Sequence, residues 1–207
     1  MTMKSILIWM SAGVIGAILG TISALLIAGL LPIGPKLGGA VAINNWTSDW
    51  SIGSEAANPY VRARVARHGL LALAKEEAVY FTRTTDDDGE PLREACAYRV
   101  KGATFPAEWW SITLYDGDSR LPMNDDERLS FDWTQANMAF GDGNEWLFDV
   151  RSAGLGDDTT PWVSSKNAGE FDLMLRLYRP SSELIAEPES TLTPPSIRRL
   201  SCDGDVS

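Results

Sequence analysis

The ten residues Ala107–Asp116, AEWWSITLYD, decide the fold class because their side chains alternate in character. Successive side chains of an extended strand point to opposite faces, so Trp110, Ile112 and Leu114 share one apolar face. The opposite face combines aromatic rings with hydroxyl groups and contains Trp109, Ser111, Thr113 and Tyr115. We therefore predict a strand with one core face and one face that is a candidate site.

Other segments repeat this period of two, namely EAVYFTRTT (77–85), REACAYRVKG (93–102), EWLFDVRS (145–152) and EFDLMLRLYRP (170–180). In the last segment Phe171, Leu173, Leu175 and Leu177 alternate with Asp172, Met174, Arg176 and Tyr178. Asp88-Gly89 lies between the first two segments and is typical of a β-hairpin turn. Short strands separated by turns predict a mainly β domain, an antiparallel β-sandwich of jelly-roll-like type.

The N-terminal part of the chain predicts a membrane-spanning helix. After a short tail of residues 1–4, residues 5–31 contain no charged side chain, and about 20 apolar residues suffice to cross a bilayer. A cleaved signal sequence is the alternative, although its apolar core is usually only ~7–15 residues long. Gly16 and Gly20 form a GxxxG pair, which either packs against another membrane helix or reflects the general frequency of glycine in membrane helices.

Charge distribution predicts orientation and partners. Lys4 precedes the apolar segment and favours a cytoplasmic N-terminus in a bacterial inner membrane, with the C-terminal domain in the periplasm, whereas Lys36 beyond the far end weakens that bias. The net charge of −10 opposes binding to nucleic acid, because phosphates repel an acidic surface. The expected partners are the lipid bilayer and other membrane-protein subunits, contacted through the helix or the acidic domain.

Residues 32–56 are rich in Gly, Pro, Ser and Asn and predict a juxtamembrane linker that ends in a packed approach segment, followed by a domain over residues 57–207. Trp46 and Trp50 within it either lie at the membrane interface or pack onto the domain. Asn58 and Pro59 then predict the start of one soluble helix, because Asn caps helices and Pro is tolerated in the first turn.

The cysteine pair leaves two interpretations open. Cys96 and Cys202 are the two cysteines of the chain and lie far apart in sequence. In an oxidising compartment they would form one disulfide closing a long loop. Otherwise they are two separate buried thiols.

The sequence contains no pattern that identifies a reaction. His68 is the single histidine and lies within the predicted soluble helix, where a surface or packing role is favoured over catalysis. Acidic residues cluster in turns at 86–88, 116–118, 125–126 and 142–145, without the order of an EF-hand loop. Such turns can supply calcium ligands or a pair of glycosidase carboxylates, but acidic turns are also usual in an acidic protein. We predict no metal, no cofactor and no catalytic residue.

The second half of the chain resembles a bacterial family known as domain of unknown function 1214. The resemblance covers about residues 90–200 and rests on WWSITLYD, Asn124 with Arg128, the Asp142-Gly143 turn, FDLMLRLYRP and the following Pro194-Pro195. The chain differs where the family reads Asn-Trp-Leu-Pro, because here Pro161-Trp162-Val163-Ser164 stands. The resemblance implies a β-rich fold and, for short anchored members, a location in the cell envelope. It implies no known activity.

Polar residues placed among core residues give the candidate ligand site, which comprises Trp109, Tyr115, Asn124, Arg128, Arg176 and Tyr178. They predict either a concave site with an arginine clamp for a carboxylate or a sugar hydroxyl, or a buried network that fixes the sheet. Two functions follow. The first is a membrane-anchored, non-catalytic interaction module or accessory subunit of a membrane complex. The second is an envelope enzyme or binder for a glycan or other small ligand.

Overall fold

The computed structural model describes residues 3–27, 40–50, 73–141, 145–152 and 159–203. Its first element is helix α1, Met3–Ile27. Within α1, the segment Ile8–Leu26 has a mean hydropathy of 1.8 and none of it is buried. By length and composition α1 can therefore cross a membrane, as the apolar sequence predicts. A Cβ added at Gly16 or Gly20 meets nothing within 4 Å, so helix packing at this pair stays a prediction.

The larger of two β-sheets has six strands in the order β1-β2-β3-β9-β5-β6. All its pairings are antiparallel. The strands are β1 (Ala40–Ile43), β2 (Trp46–Asp49), β3 (Ala78–Arg83), β5 (Ala107–Asp116), β6 (Ser130–Asp132) and β9 (Phe171–Pro180).

The smaller sheet has four strands in the order β10-β4-β7-β8. They are β4 (Cys96–Ala103), β7 (Glu145–Arg151), β8 (Trp162–Ser164) and β10 (Ser196–Cys202). The pairing of β7 with β8 is parallel, so this sheet is mixed rather than purely antiparallel.

The core lies between the two sheets. The larger sheet contributes Phe81, Ile112 and Leu175, and the smaller contributes Val100, Phe148 and Ile197, all at most 1% exposed and in one apolar cluster. Side chains from two sheet faces meet in this way in a β-sandwich. The prediction of a mainly β, two-sheet domain is confirmed. Its jelly-roll-like topology stays a prediction.

The alternation in AEWWSITLYD is confirmed by burial. Trp110, Ile112 and Leu114 are 3%, 1% and 0% exposed and belong to the core. Trp109 and Tyr115 point to the opposite face and are half-buried. β5 pairs with β9 from Ala107 opposite Pro180 to Asp116 opposite Phe171, so the faces of the two strands are in register.

Part of the predicted linker belongs to the larger sheet instead. Residues 40–49 form the β1–β2 hairpin, and Asn44 and Asn45 adopt the positive φ that its two-residue turn requires. Trp46 is fully buried and its indole N–H donates to the carbonyl of Pro195 at 2.8 Å. The apolar burial of Trp46 holds this hairpin on the domain despite its Gly- and Asn-rich flanks.

The hairpin predicted across Asp88-Gly89 forms only next to the turn, where Thr85 and Pro91 make an antiparallel bridge; the long strands on either side do not pair with each other. The turn itself forms, because the backbone N–H groups of Asp88 and Glu90 donate to Asp86 Oδ1 and Gly89 has φ +88°. However, β3 pairs with β2 and β9, whereas β4 pairs with β7 and β10. The turn therefore carries the chain from one sheet to the other, and Leu92 is buried just after it.

Three short helices complete the described chain: α2 (Trp133–Phe140), α3 (Ser182–Ala186) and α4 (Pro188–Thr191). The start of α2 is set by a capping box between Asp132 and Gln135, a signal present in the sequence. The soluble helix predicted from Asn58, including His68, lies outside the described residues, as does the Asp142-Gly143 turn.

A disulfide joins Cys96 of β4 to Cys202 of β10. The two residues lie directly opposite each other at the end of the β4–β10 pairing. Their separation of 106 residues makes the closed loop long, and such a loop restricts the unfolded chain strongly.

Candidate functional site

The outward face of the β5–β9 pair carries most of the candidate residues. Trp109 lies opposite Tyr178, Ser111 opposite Arg176, and Tyr115 opposite Asp172. Ser111 and Thr113 are nearly covered, whereas the larger side chains around them are half-buried. We call this surface the outer face, defined by Trp109, Ser111, Thr113, Tyr115, Asp172, Arg176 and Tyr178.

Arg176 is fixed in the middle of the outer face. Its Nη1 donates to Thr113 Oγ1 at 3.1 Å and its Nη2 donates to the hydroxyl of Tyr115. Its guanidinium carbon also lies 5.4 Å from the centre of the Tyr115 ring. A guanidinium has five N–H donors, and the described residues engage two of them, so donors remain for a bound group.

Trp109 and Tyr178 form an aromatic pair at one end of the outer face, opposite to the end that carries Tyr115 and Asp172. The rings of Trp109 and Tyr178 have centroids 5.3 Å apart and are tilted by 58°. Beyond them Ala78, Tyr80 and Met174 form a small buried cluster against which Tyr115 and Tyr178 pack. Burial raises the pKa of the Tyr80 phenol, with the nearby Tyr178 phenol as a lesser cause, so Tyr80 stays neutral at physiological pH.

Asp172 is the acidic member of the outer face. Burial, and secondarily the charge of Asp116, raise the pKa of its carboxyl from 3.8 to about 7. Its Oδ1 is buried without a hydrogen-bond partner in the described structure. The alternation placed Asp172 on this face but did not predict its desolvation, because burial depends on how β9 packs in the folded sheet.

Asn124 lies elsewhere and has a local structural role. Its side-chain N–H donates to the carbonyl of Lys166 at 3.0 Å, and its Oδ1 accepts from the backbone of Asp126 at 3.1 Å. These bonds hold the loop after β5 against the loop after β8, so the side chain is already engaged by the fold.

Arg128 also lies away from the outer face. The backbone N–H of Ser164 in β8 donates to the carbonyl of Arg128 at 2.6 Å, which ties this segment to the smaller sheet. The guanidinium carbon of Arg128 lies 4.8 Å from the centre of the Trp162 ring, and that of Arg151 lies 4.4 Å from it. A cavity of about 420 Å³ opens beside Arg128 and Trp162.

The six candidate residues thus lie in two different regions of the structure. Trp109, Tyr115, Arg176 and Tyr178 lie together, whereas Asn124 and Arg128 follow a loop that leaves β5 and bonds to the edge of the smaller sheet. The arginine stack on Trp162 was missed, although the sequence singled out Trp162 as a retained aromatic residue. The contribution of Arg151 could not be foreseen, because it requires the parallel pairing of β7 with β8.

Within the described ranges, no group of three or more His, Cys, Asp or Glu side chains is arranged to hold a metal ion. The acidic turns have structural roles where they are visible. Asp86 Oδ1 and Asp116 Oδ1 each accept two backbone N–H bonds within their own turns.

Comparison with known proteins identifies relatives without an assigned activity. No curated protein matches the sequence. The crystal structure of the VPA0106 protein from Vibrio parahaemolyticus is similar with a TM-score of 0.54 and 22% identity, over 70% of this chain. The chain spans 36% of the length of that protein. An uncharacterised protein from Burkholderia cenocepacia has a TM-score of 0.40 and 12% identity, over 59% of this chain and 29% of its own.

The family model described as "Protein of unknown function (DUF1214)" matches residues 77–182. This range extends from the residue before β3 to the start of α3 and includes both strands of the outer face. With more than half of its 207 residues matched, the chain belongs to the DUF1214 family.

Proposed function

We propose that the protein is a membrane-anchored, non-catalytic interaction module, an accessory subunit that binds another membrane protein through its outer face. The observation that carries the proposal is the composition of that face, where Trp109, Tyr178, Tyr115 and Arg176 adjoin one another. Trp, Tyr and Arg are the residue types enriched at the energetic centres of protein interfaces.

The fixed conformations of these side chains support the proposal. Arg176 is held by Thr113 and Tyr115, and Trp109 packs against Tyr178, so binding would immobilise few additional rotamers. Association is less costly in conformational entropy when the contact residues are already fixed.

The location in the proposal is an inner membrane with the domain on the periplasmic side. The apolar helix α1 supports an anchor, and Lys4 before it favours a cytoplasmic N-terminus. The disulfide between Cys96 and Cys202 supports an oxidising compartment for the domain, because thiols stay reduced in the cytoplasm.

The test is co-purification of the full chain after extraction from membranes in a mild detergent. The wild-type protein is expected to retain a membrane-protein partner in stoichiometric amount, and Trp109→Ala is expected to release it because the indole is a central contact. Trp133→Ala is the matched control, since Trp133 is an exposed tryptophan of α2 outside the outer face. A strictly monomeric wild-type protein, or equal retention by both variants, would contradict the proposal.

The second candidate function is an envelope binder or enzyme for a glycan or other small ligand at the same face. Trp109 would stack on a sugar ring, and the free donors of Arg176 would bond its hydroxyls. Arg176→Ala should then abolish ligand binding while the domain remains folded. If the variant lowers the melting temperature and leaves binding intact, Arg176 only fixes the sheet.

A further inference from the structure

The cavity beside Trp162 is lined by none of the residues that define the outer face, and it has the size of a small-molecule site. Its volume is about 420 Å³, and pockets for small ligands commonly measure about 300–1,000 Å³. Its lining combines charged, polar and apolar side chains, among them Glu127, Arg128, Leu129, Ser130, Gln135 and Trp162.

Arg128 supplies the cavity with a positive charge that the described protein does not neutralise. Its side chain is exposed, and the interaction it makes is the stacking on Trp162 at 4.8 Å. The nearby carboxylate of Asp126 does not pair with Arg128 and instead accepts a hydrogen bond from the Ser164 hydroxyl at 2.6 Å. Because Arg128 forms no ion pair with a described carboxylate, its guanidinium N–H groups can bind an anion in the cavity.

The backbone fixes Arg128 in this position. Its carbonyl accepts from the fully buried Ser164, and the preceding Glu127 adopts a φ of +53°. That left-handed conformation is unfavourable for a residue with a side chain, and such residues cluster at binding sites when their surroundings hold them.

The Trp162 ring is supported from within the protein. Arg151 is 2% exposed and its guanidinium carbon lies 4.4 Å from the ring centre, so the indole is held between the protein interior and the cavity. Together with Leu129, the indole gives the cavity an apolar surface next to the charge of Arg128.

We propose that this cavity binds a small organic carboxylate, with the carboxylate on Arg128 and the apolar body against Trp162 and Leu129. A single guanidinium fork matches the two oxygens of a carboxylate. Glu127 at the same cavity disfavours a multiply charged phosphate by repulsion. The inference does not depend on the proposed function, because it concerns different residues.

The test uses the full chain in detergent, labelled with 5-fluorotryptophan and observed by fluorine NMR. The Trp162 resonance is assigned by its disappearance in Trp162→Phe. Phenylacetate is the probe, phenylacetamide its neutral analogue, and inorganic phosphate the competing anion. We expect saturable movement of the Trp162 resonance with phenylacetate, and binding of phenylacetamide and of phosphate weaker by about tenfold or more.

Variants connect the binding to Arg128. Arg128→Gln is expected to weaken phenylacetate binding by about tenfold or more, and Arg128→Lys by less, because the ammonium keeps the charge without the fork. Arg120→Gln is the matched control, since Arg120 is 78% exposed in a neighbouring turn. No saturable movement of the Trp162 resonance, equal binding by Arg128→Gln, or tighter binding of phosphate would each overturn the proposal.

Discussion

At the scale of single residues, Asp172 is the most unusual group of the domain. It is the one acidic residue of strand β9, and its buried Oδ1 has no hydrogen-bond partner in the described structure. An ionised carboxylate in that position lacks the solvation that the unfolded chain provides. The pKa of about 7 is the consequence, and it links the stability of the domain to pH.

The sign of that dependence follows from proton binding. Between pH 4 and 7 the folded state holds the proton of Asp172, whereas the unfolded chain releases it near pH 3.8. Asp172 therefore lowers the free energy of unfolding as pH rises through this window, and the loss levels off above pH 7. Asp172→Asn should remove this loss and stabilise the domain at pH 8 by up to about 4 kcal/mol, with little difference near pH 4.

Urea unfolding of the detergent-solubilised protein at several pH values measures this effect. Asp125→Asn is the control, because it removes the same carboxyl group from a fully exposed side chain. If the difference between Asp172→Asn and wild type is the same at pH 4 and pH 8, Asp172 is not desolvated as described.

At the scale of elements, the β4–β7 pair shows how one glycine accommodates a large ring. Gly102 lies directly opposite Trp146, and a Cβ at Gly102 would overlap the indole. Trp146 is 4% exposed, packs on Trp110 with centroids 4.5 Å apart, and donates its N–H to the carbonyl of Ala103. The ring therefore has little room to move.

Gly102→Ala should lower the free energy of unfolding by about 1–3 kcal/mol, because added volume in a packed core forces side chains off their preferred rotamers. Gly117→Ala is the matched control, since its Cβ would lie at an ordinary 3.6 Å from the nearest atom. Thermal or urea unfolding measures both. Equal stability of the two variants would show that Trp146 can shift.

The strands of the sandwich core could be predicted from sequence, and their connections could not. Period-two alternation located β5 and β9 and assigned their faces, because burial of every second residue is a local pattern. The Asp88-Gly89 turn is also local, but the sheet that each flanking strand joins depends on distant partners. The β1–β2 hairpin was missed because its burial depends on Trp46 reaching Pro195.

The candidate site was predictable to the same extent. The alternation of side chains along the two strands grouped Tyr115 with Arg176 in the prediction, and in the structure the two side chains form a hydrogen bond. Arg128 follows β5 closely in sequence, yet its carbonyl accepts a hydrogen bond from β8 and its guanidinium stacks on Trp162. The prediction therefore grouped Arg128 with the outer face because it is close to β5 in sequence, whereas the loop after β5 crosses to the other sheet.

At the scale of the whole molecule, an apolar N-terminal helix precedes an acidic, disulfide-linked β-sandwich. If the sandwich is periplasmic, the cysteines should be oxidised in living cells. Acid quenching followed by alkylation with a maleimide-polyethylene glycol should give no adduct without reduction and two after it, because the chain has two cysteines. Two adducts before reduction would place the domain in a reducing compartment.

The most direct test of the central claim is photocrosslinking from the outer face in intact membranes. A photoreactive p-benzoylphenylalanine is introduced at Trp109 and, in a separate control, at the exposed Trp133 of α2. We predict a discrete crosslink to one membrane protein from position 109 and none from position 133. No protein adduct from position 109, or the same adducts from both positions, would contradict an interaction surface on the outer face.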